Sequence, residues 1–576
     1  MSTALTREFV RFVEVKPASG TRVKAVHALI VGAVTTGTLG ALFGVPMALT
    51  GMTGIFVAIS AFDRSQRSRI RVLSALAVVY TIGVTLGALT SLLPAWLAVV
   101  AIAALATVTA FGYHALLSDP PGPMLLIMGI CAASYMPTLG VPIPQIILIT
   151  ALSMVIGCTT SIVLQQPRRR AAVERQVESL RTAVSKLEAG LRTDAPQAQD
   201  LSRLRDAAFG ALFQAQSSLV ASLGRGRAPS PRAQPLEDEL HALHLRLYRL
   251  IAAHRLPWAT LDDDAVRDHY LGAPGTPYLV RWALSQSSPP WLAARRTGMA
   301  ILLAGGVATL LRLDHPYWAQ MTAALVLSSA ADRITSTVRA EHRVVGTTFG
   351  VGLFFGLHLL HPHPVLVAAI VVGCASLTQI VAPRHYATAA MVMTPMPLLM
   401  ASMHAVAVPI GPLMWSRVIE TVIGAASALL VLWGQGRPTA VILVRRQFRR
   451  AVVALGDILA QMALDPDQAA SLTGRRNLHF EQLAAAKALA MVRPDRPTEL
   501  EEWGTFEAAL SELTFTVLIA ARTSDPRAAL RWGVMADAMD RFLAELPPVS
   551  GNPIDAEAAA QTLHDILTQG RPPQTD

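Results

Sequence analysis

His315–Gly350, HPYWAQMTAALVLSSAADRITSTVRAEHRVVGTTFG, holds the end of one apolar span, a short cationic turn and the glycine-studded start of the next span. A second copy of its middle lies upstream. Met52, Thr53, Val57, Ser60, Ala61, Asp63 and Arg64 recur in register as Met321, Thr322, Val326, Ser329, Ala330, Asp332 and Arg333. Two unrelated apolar segments of this length would share roughly one or two identities by composition alone. Farther on, Gly83 and Gly87 fall on Gly352 and Gly356 in the same register. The chain reads as duplicated.

Working outward, the composition fits that reading. Of 576 residues, 52% are hydrophobic and only 15% charged, with a mean hydropathy of +0.43. Apolar runs of about 18–20 residues, long enough to cross a hydrocarbon core, recur in two blocks. Residues 1–22 carry Arg7, Glu8, Arg11, Glu14, Lys16 and Arg22 with no apolar core ahead of the first span, so no cleavable signal peptide is expected. Cys131, Cys158 and Cys374 all lie in apolar stretches without paired spacing, which argues against a disulfide framework or a thiolate metal site. The net charge of +10 is read first as a topology signal rather than as nucleic-acid binding.

The first block predicts six spans near 24–43, 45–62, 72–93, 96–115, 124–139 and 144–164, and the second another six near 296–312, 315–331, 344–361, 364–382, 387–403 and 413–434. Arginines and lysines flank the first span, fill the turn after the second (Arg64, Arg67, Arg69, Arg71) and follow the sixth (Arg168, Arg169, Arg170). The second block repeats this with Arg295 and Arg296, then Arg333, Arg339 and Arg343, then Arg437, Arg445, Arg446, Arg449 and Arg450. The turns 92–96 and 138–144 carry no Lys or Arg, so the positive-inside rule places both termini and the 165–290 segment in the cytoplasm of a cell-membrane protein. An even number of spans per block predicts parallel repeats related by an axis along the membrane normal.

The expected organisation is therefore all-α: a 1–23 segment, a 24–164 repeat, a 165–290 helical domain, a 291–434 repeat, and a 435–576 helical domain with a short tail. Within 165–290, Val173, Val177, Leu180, Val184 and Leu187 form an apolar stripe at helical spacing. Further helices are expected over 199–222 and 236–255, separated by the loop GRGRAPSPRAQP.

The string HPYWA with its following T and VL, then Arg339-x-x-x-Arg343-x-x-Gly346-Thr347-x-x-Gly350, resembles the fusaric-acid-resistance-like, or aromatic acid exporter, family. The match is strongest over roughly 295–435, and the alternation of span blocks with helical domains is similar too. The first half has Ala48 and Leu49 where the second has Tyr317 and Trp318, and it also permits an alignment of Arg67 and Arg71 with Arg339 and Arg343. The resemblance implies efflux of small aromatic or amphiphilic carboxylates, and connects more distantly with malate channels whose anion path lies between two six-span units.

Several residues are candidates for that path, each with a plainer reading beside it. Arg64, Arg71, Arg333, Arg339 and Arg343 in the cationic turns suit the gathering of an organic anion; setting topology and binding lipid head groups explains them as well. Asp63 and Asp332 are coupling candidates or turn caps. Arg417 and Glu420, three residues apart in the last span, suit an intramembrane pair, with Glu420 a coupling candidate; Arg417 is also near enough to the end to snorkel. Spans five and eleven are methionine-rich and interrupted by proline, with Met124, Met393 and Met396 placed to line a path for flat aromatic ligands, or simply to pack.

Gly83-x-x-x-Gly87, Gly346-x-x-x-Gly350 and Gly352-x-x-x-Gly356 suit close helix packing. Tyr317 and Trp318 read as interfacial belt residues. His358, His361 and His363 resemble a metal cluster only superficially, and His114 with Asp119 imitates an acyltransferase signature. The sequence has no G-x-x-x-x-G-K-[ST], H-E-x-x-H or G-x-S-x-G motif. A non-enzymatic, proton-coupled efflux transporter without cofactor or metal follows. Its expected partners are membrane lipids and a small organic anion but no nucleic acid, with a homo-oligomer or an envelope partner protein open; the alternative functions are a passive anion channel on the same scaffold or a membrane scaffold for envelope proteins.

Overall fold

The computed structural model describes residues 14–15, 17–18, 20–62, 64–117, 122–165, 171–192, 198–223, 234–255, 274–285, 288–327, 333–404, 410–434, 438–464, 471–496, 500–520, 528–549 and 554–570. All regular structure among them is helical. The first block forms α1 (Thr21–Phe43), α2 (Val45–Thr50), α3 (Met52–Ala58), α4 (Gln66–Leu89), α5 (Ala95–Leu116), α6 (Met124–Tyr135) and α7 (Ile143–Leu164). Then come α8 (Ala171–Leu191), α9 (Ala198–Leu223), α10 (Gln234–Arg255) and α11 (Thr276–Leu284). The second block forms α12 (Pro289–Leu310), α13 (Pro316–Leu327), α14 (Arg333–Leu359), α15 (Pro364–Val381), α16 (Tyr386–Met393), α17 (Pro395–His404) and α18 (Ile410–Gly434). The chain closes with α19 (Pro438–Leu464), α20 (Leu472–Val492), α21 (Trp503–Ala520), α22 (Ala528–Glu545) and α23 (Ala556–Gln569).

Two compact units result: Met1–Pro167 with Val280–Gly436, and Arg168–Leu279 with Arg437–Asp576. The first is a multi-pass membrane unit. Among the described residues, seven helical stretches are long and apolar enough to cross a bilayer, against the twelve spans the sequence predicts: Thr21–Phe43, Gln66–Leu92, Ala95–Leu116, Ile143–Leu164, Pro364–Val381, Tyr386–Met403 and Ile410–Gly434. Their outward faces are apolar, as Val78, Val79, Ile82 and Leu86 of α4 illustrate, which suits helices solvated by lipid.

Within the membrane unit the packing is reciprocal. The opening helix of each block lies on the fourth segment of the other: α1 on α15, and α12 on α5. Both seams need a glycine. A Cβ at Gly32 of α1 would come within 2.9 Å of Val372, and one at Gly298 of α12 would meet Thr107 closer still. Ser376 Oγ also donates to the Ala25 carbonyl at 2.8 Å across the first seam.

The glycine pairs divide. A Cβ at Gly87 would strike the Ile130 backbone of α6, and Cβ atoms at Gly346 and Gly350 would strike α16 and the Thr394 break, all at under 3 Å. Gly352 and Gly356 have nothing within 4 Å. The expected close-packing role therefore holds for Gly346 and Gly350 and fails for Gly352 and Gly356. Helix α14 is 27 residues long against 24 for α4, so a register fixed at the preceding turn need not persist along the helix.

The second unit draws both charged segments into one core. The α8 stripe of Val173, Val177, Leu180, Val184 and Leu187 is buried together with Phe448, Leu455, Phe506, Leu513 and Leu563 from the C-terminal segment. Phe209 of α9 stacks on Phe515 of α21 at 3.6 Å between centroids and 6° between planes. The sequence reading treats 165–290 and 435–576 as two helical domains; here their helices complete each other, because each segment alone offers amphipathic faces without enough partner surface to cover them.

Candidate functional site

Several helices of the membrane unit are interrupted. Gly51 separates α2 from α3, α6 passes into a tight turn at Met136–Leu139 that ends on Gly140 at φ 82°, and Thr394 with Pro395 separates α16 from α17. Helix α13 is only 12 residues long, and every residue from Tyr317 to Leu327 is buried. Interrupted helices are tolerated at membrane depth where they are buried in protein or line a cavity. Here they do both.

A cavity of about 100 Å³ sits where these broken segments meet, and its walls come from both blocks. Met52, Met128 and Met136 from the first block and Met321, Met393, Met396 and Met400 from the second line it, together with Tyr135 and Tyr317. Thioether side chains have no branch and a polarizable sulfur, so they mould to a flat ring without imposing one shape.

Two cations enter this apolar wall. Arg343 from α14 and Arg417 from α18 both line the cavity, with exposures of 2% and 1%. Nε and Nη1 of each guanidinium meet no hydrogen-bonding partner among the described residues. Arg417 lies instead over the Trp318 ring, 4.9 Å from its centroid, a cation–π contact. An unpaired buried cation costs several kcal/mol unless something in its site compensates it. The arrangement can accept an anion whose body is apolar.

Aromatic rings pack beside the site. Trp318 stacks on His315 at 4.5 Å and 12°, and Tyr317 stacks on Tyr135 at 4.7 Å and 22°. Glu420 is fully buried. Its Oε1 accepts from the His315 backbone N–H at 3.1 Å and from Ser416 Oγ at 2.9 Å, while His315 Nδ1 lies 3.2 Å from Ser416 Oγ. Oε2 of Glu420 has no partner among the described residues. Arg417 and Glu420 thus share a helix face as the spacing predicts, but they do not pair. Arg417 does not snorkel to an interface, and Tyr317 and Trp318 are interior residues rather than belt residues.

The remaining predicted residues lie elsewhere. Arg333 is buried over the Trp433 ring, Arg339 lies over Tyr386, and Arg64 reaches Ser68 at 3.5 Å, while Arg71 is exposed. None of these four lines the cavity, nor does Met124, which packs against the core of the unit. Asp63, Asp332 and Asp119 fall outside the described residues. His363 caps α15 by accepting from Val365 N–H.

One polar cluster escaped the sequence reading. Arg69 of α4, 1% exposed, donates from Nη2 to Ser161 Oγ at 2.6 Å and lies 3.2 Å from His27 Nε2, while Ser161 Oγ donates to the Ala58 carbonyl at 2.5 Å. The signal was present in the spacing. Two residues turn a helix by about 200°, so Arg69 had to face away from Arg67 and Arg71.

Comparison with known proteins bears on the second block. Residues 303–431 match the family model described as fusaric acid resistance protein-like, so the chain carries such a domain from within α12 to near the end of α18. Arg343, Met393, Met396, Arg417 and Glu420 all lie inside that match. No curated protein and no solved structure matches the chain.

Proposed function

We propose that the membrane unit exports small aromatic or amphiphilic carboxylic acids along a path between two parallel six-segment repeats, with both termini and the helical unit in the cytoplasm. The carboxylate is held by Arg343 and Arg417, and the ring lies among the methionines of the broken helices. One observation carries this reading: two buried guanidinium groups with unpartnered nitrogens in the wall of a methionine-lined cavity. The reciprocal packing of α1 on α15 and α12 on α5 supports a duplicated architecture. The fusaric acid resistance protein-like match supports the substrate class.

The chemistry follows from the two halves of such a ligand. Charge-assisted hydrogen bonds from an arginine to a carboxylate are about twice as strong as neutral ones, and they strengthen where water is excluded. The ring displaces poorly held water from an apolar wall. Arg64, Arg71 and Arg339, away from the cavity, raise the local concentration of anions at the cytoplasmic mouth, while Arg333 is buried over Trp433. Asp63 and Asp332 directly precede Arg64 and Arg333 in the sequence and are the coupling candidates there.

The test is efflux of radiolabelled benzoate from loaded proteoliposomes. Wild-type protein is expected to accelerate release, and Arg343→Gln and Arg417→Gln each to abolish most of that acceleration while Arg71→Gln reduces it only modestly. Release that is unchanged in both cavity variants rejects the reading. A rate that rises linearly with benzoate without saturating identifies an open channel on the same scaffold.

A further inference from the structure

We propose that Arg417 takes either the Glu420 carboxylate or the transported anion, so that each anion entering the cavity brings one proton onto Glu420. This rests on the reading of the cavity as an anion path and fixes the sign of its coupling to protons.

Glu420 lies one helical turn beyond Arg417 on the buried face of α18. Groups three residues apart on a helix reach each other by changing rotamer. In the structure they stand apart. Arg417 is held against Trp318 and faces the cavity, while Glu420 is held through Oε1 by the His315 N–H and Ser416, leaving Oε2 without a partner. A buried carboxylate and a buried guanidinium within reach of each other, both charged and both unpaired, form a high-energy arrangement. Two arrangements relieve it. In one, Glu420 carries a proton and Arg417 meets an anion in the cavity. In the other, Glu420 is ionised and swings onto Arg417, and no anion is held.

The two states differ by one proton and one anion, taken up or released together. Glu420–COO⁻ becomes Glu420–COOH as the Arg417 guanidinium exchanges one carboxylate for another, and the net species gained is a neutral acid. The proton has a route. Ser416 and His315 connect Glu420 to the turn that bears Asp314, which is exposed.

The other ionisable groups around Glu420 include Asp314 from the turn before α13, and Arg343 is a second cation that holds the anion jointly with Arg417. Tyr317 and His315 come from the start of α13, Tyr135 from α6 and Arg343 from α14, while α12 has no ionisable side chain beyond Arg296. Such a site binds proton and anion together rather than one in place of the other.

Calorimetric titration of benzoate into the full-length protein in lipid nanodiscs, from pH 5.5 to 8.5, tests this. In the wild type, affinity is expected to fall on the order of tenfold per pH unit once Glu420 ionises. Titrations in phosphate and in Tris, whose ionisation heats differ, should there report one proton taken up per benzoate. Glu420→Gln is expected to bind at the acid-pH affinity throughout, without slope and without proton uptake.

Wild-type affinity that is flat or rises with pH, or a slope retained in Glu420→Gln, overturns the proposal. If that variant does not fold, the wild-type proton count decides alone, and a count of zero across the range overturns it. Benzoate binding with no pH slope leaves the anion path standing and removes only the linkage, whereas no binding at any pH removes both.

Discussion

Both units bury ionisable side chains, but they treat them differently. In the helical unit Glu481, 2% exposed at its side chain, receives Arg450 at 3.0 Å and the Tyr278 hydroxyl at 2.6 Å. Glu507 accepts from Ser202 Oγ at 2.8 Å, and burial, with Asp206 nearby, pushes its carboxyl well above the ordinary range. The membrane unit instead leaves nitrogens of Arg343 and Arg417 without partners in a cavity wall. Pairing or neutralising a buried charge serves stability. Holding a charge unpaired stores free energy that a ligand can release.

The sharpest way to break that contrast is to remove both unpaired charges. Arg343→Met with Arg417→Met should lower benzoate transport on the order of 100-fold, since two charge-assisted contacts are lost. Resistance to thermal unfolding should stay level or rise, because methionine suits the apolar wall without desolvation cost. In the helical unit the same operation has the opposite sign. Glu481→Leu leaves Arg450 and Tyr278 without their acceptor and should destabilise that unit by about 2 kcal/mol. A membrane unit that unfolds earlier in the double variant would show that its arginines are structural.

His479 sharpens the comparison through pH. It is 1% exposed in a box of Phe209, Phe213 and Phe515, and its two ring nitrogens have no partner among the described residues. Burial lowers its pKa to about 4. The folded form thus binds a proton less readily than the unfolded chain, whose histidine titrates near 6.5. Stability contributed here is fully present above about pH 6.5 and is lost as pH falls toward 4, by about 3 kcal/mol at the lower end. Glu507 acts with the opposite sign, since its raised pKa makes stability fall as pH rises above the ordinary carboxylate range. His479→Phe should flatten the acid limb of an unfolding curve and Glu507→Gln the alkaline limb. If the acid limb survives in His479→Phe, another group carries it.

How much of this was legible in the sequence depends on whether the deciding contact is local. The α8 stripe was readable because its period is a property of one helix, and Met393 and Met396 were readable because prolines interrupt their helices in the chain itself, whereas Met124 lies off the cavity and Met52 and Met321 reach it through contacts no local pattern shows. That α8 to α10 and α19 to α23 share one core was not, since an apolar stripe specifies that a face is covered but not by which partner. The same holds for Arg417 and Glu420. Their spacing places them on one face, yet the Trp318 ring and the His315 N–H that separate them arrive from about 100 residues away. Tyr317 and Trp318 were read as interfacial because their neighbours in sequence are apolar, whereas burial inside α13 depends on the broken helices around it.

The smallest expected effect comes from the glycines that sequence register treats alike. A methyl group at Gly350 would lie at under 3 Å from Thr394 and the Met391 carbonyl, so Gly350→Ala must push α14 away from the break between α16 and α17. That costs about 1–3 kcal/mol of overpacking. It also widens the cavity wall formed by Met393 and Met396, so transport should fall with stability. At Gly352 the added methyl meets nothing within 4 Å. There Gly352→Ala gains only the helix propensity of alanine, about 0.5–1 kcal/mol, and leaves the cavity untouched. Thermal unfolding of the two variants in the same detergent should therefore shift in opposite directions. Destabilisation by Gly352→Ala comparable to that of Gly350→Ala would mean that a second helix, from another copy or another protein, lies against that face in the membrane.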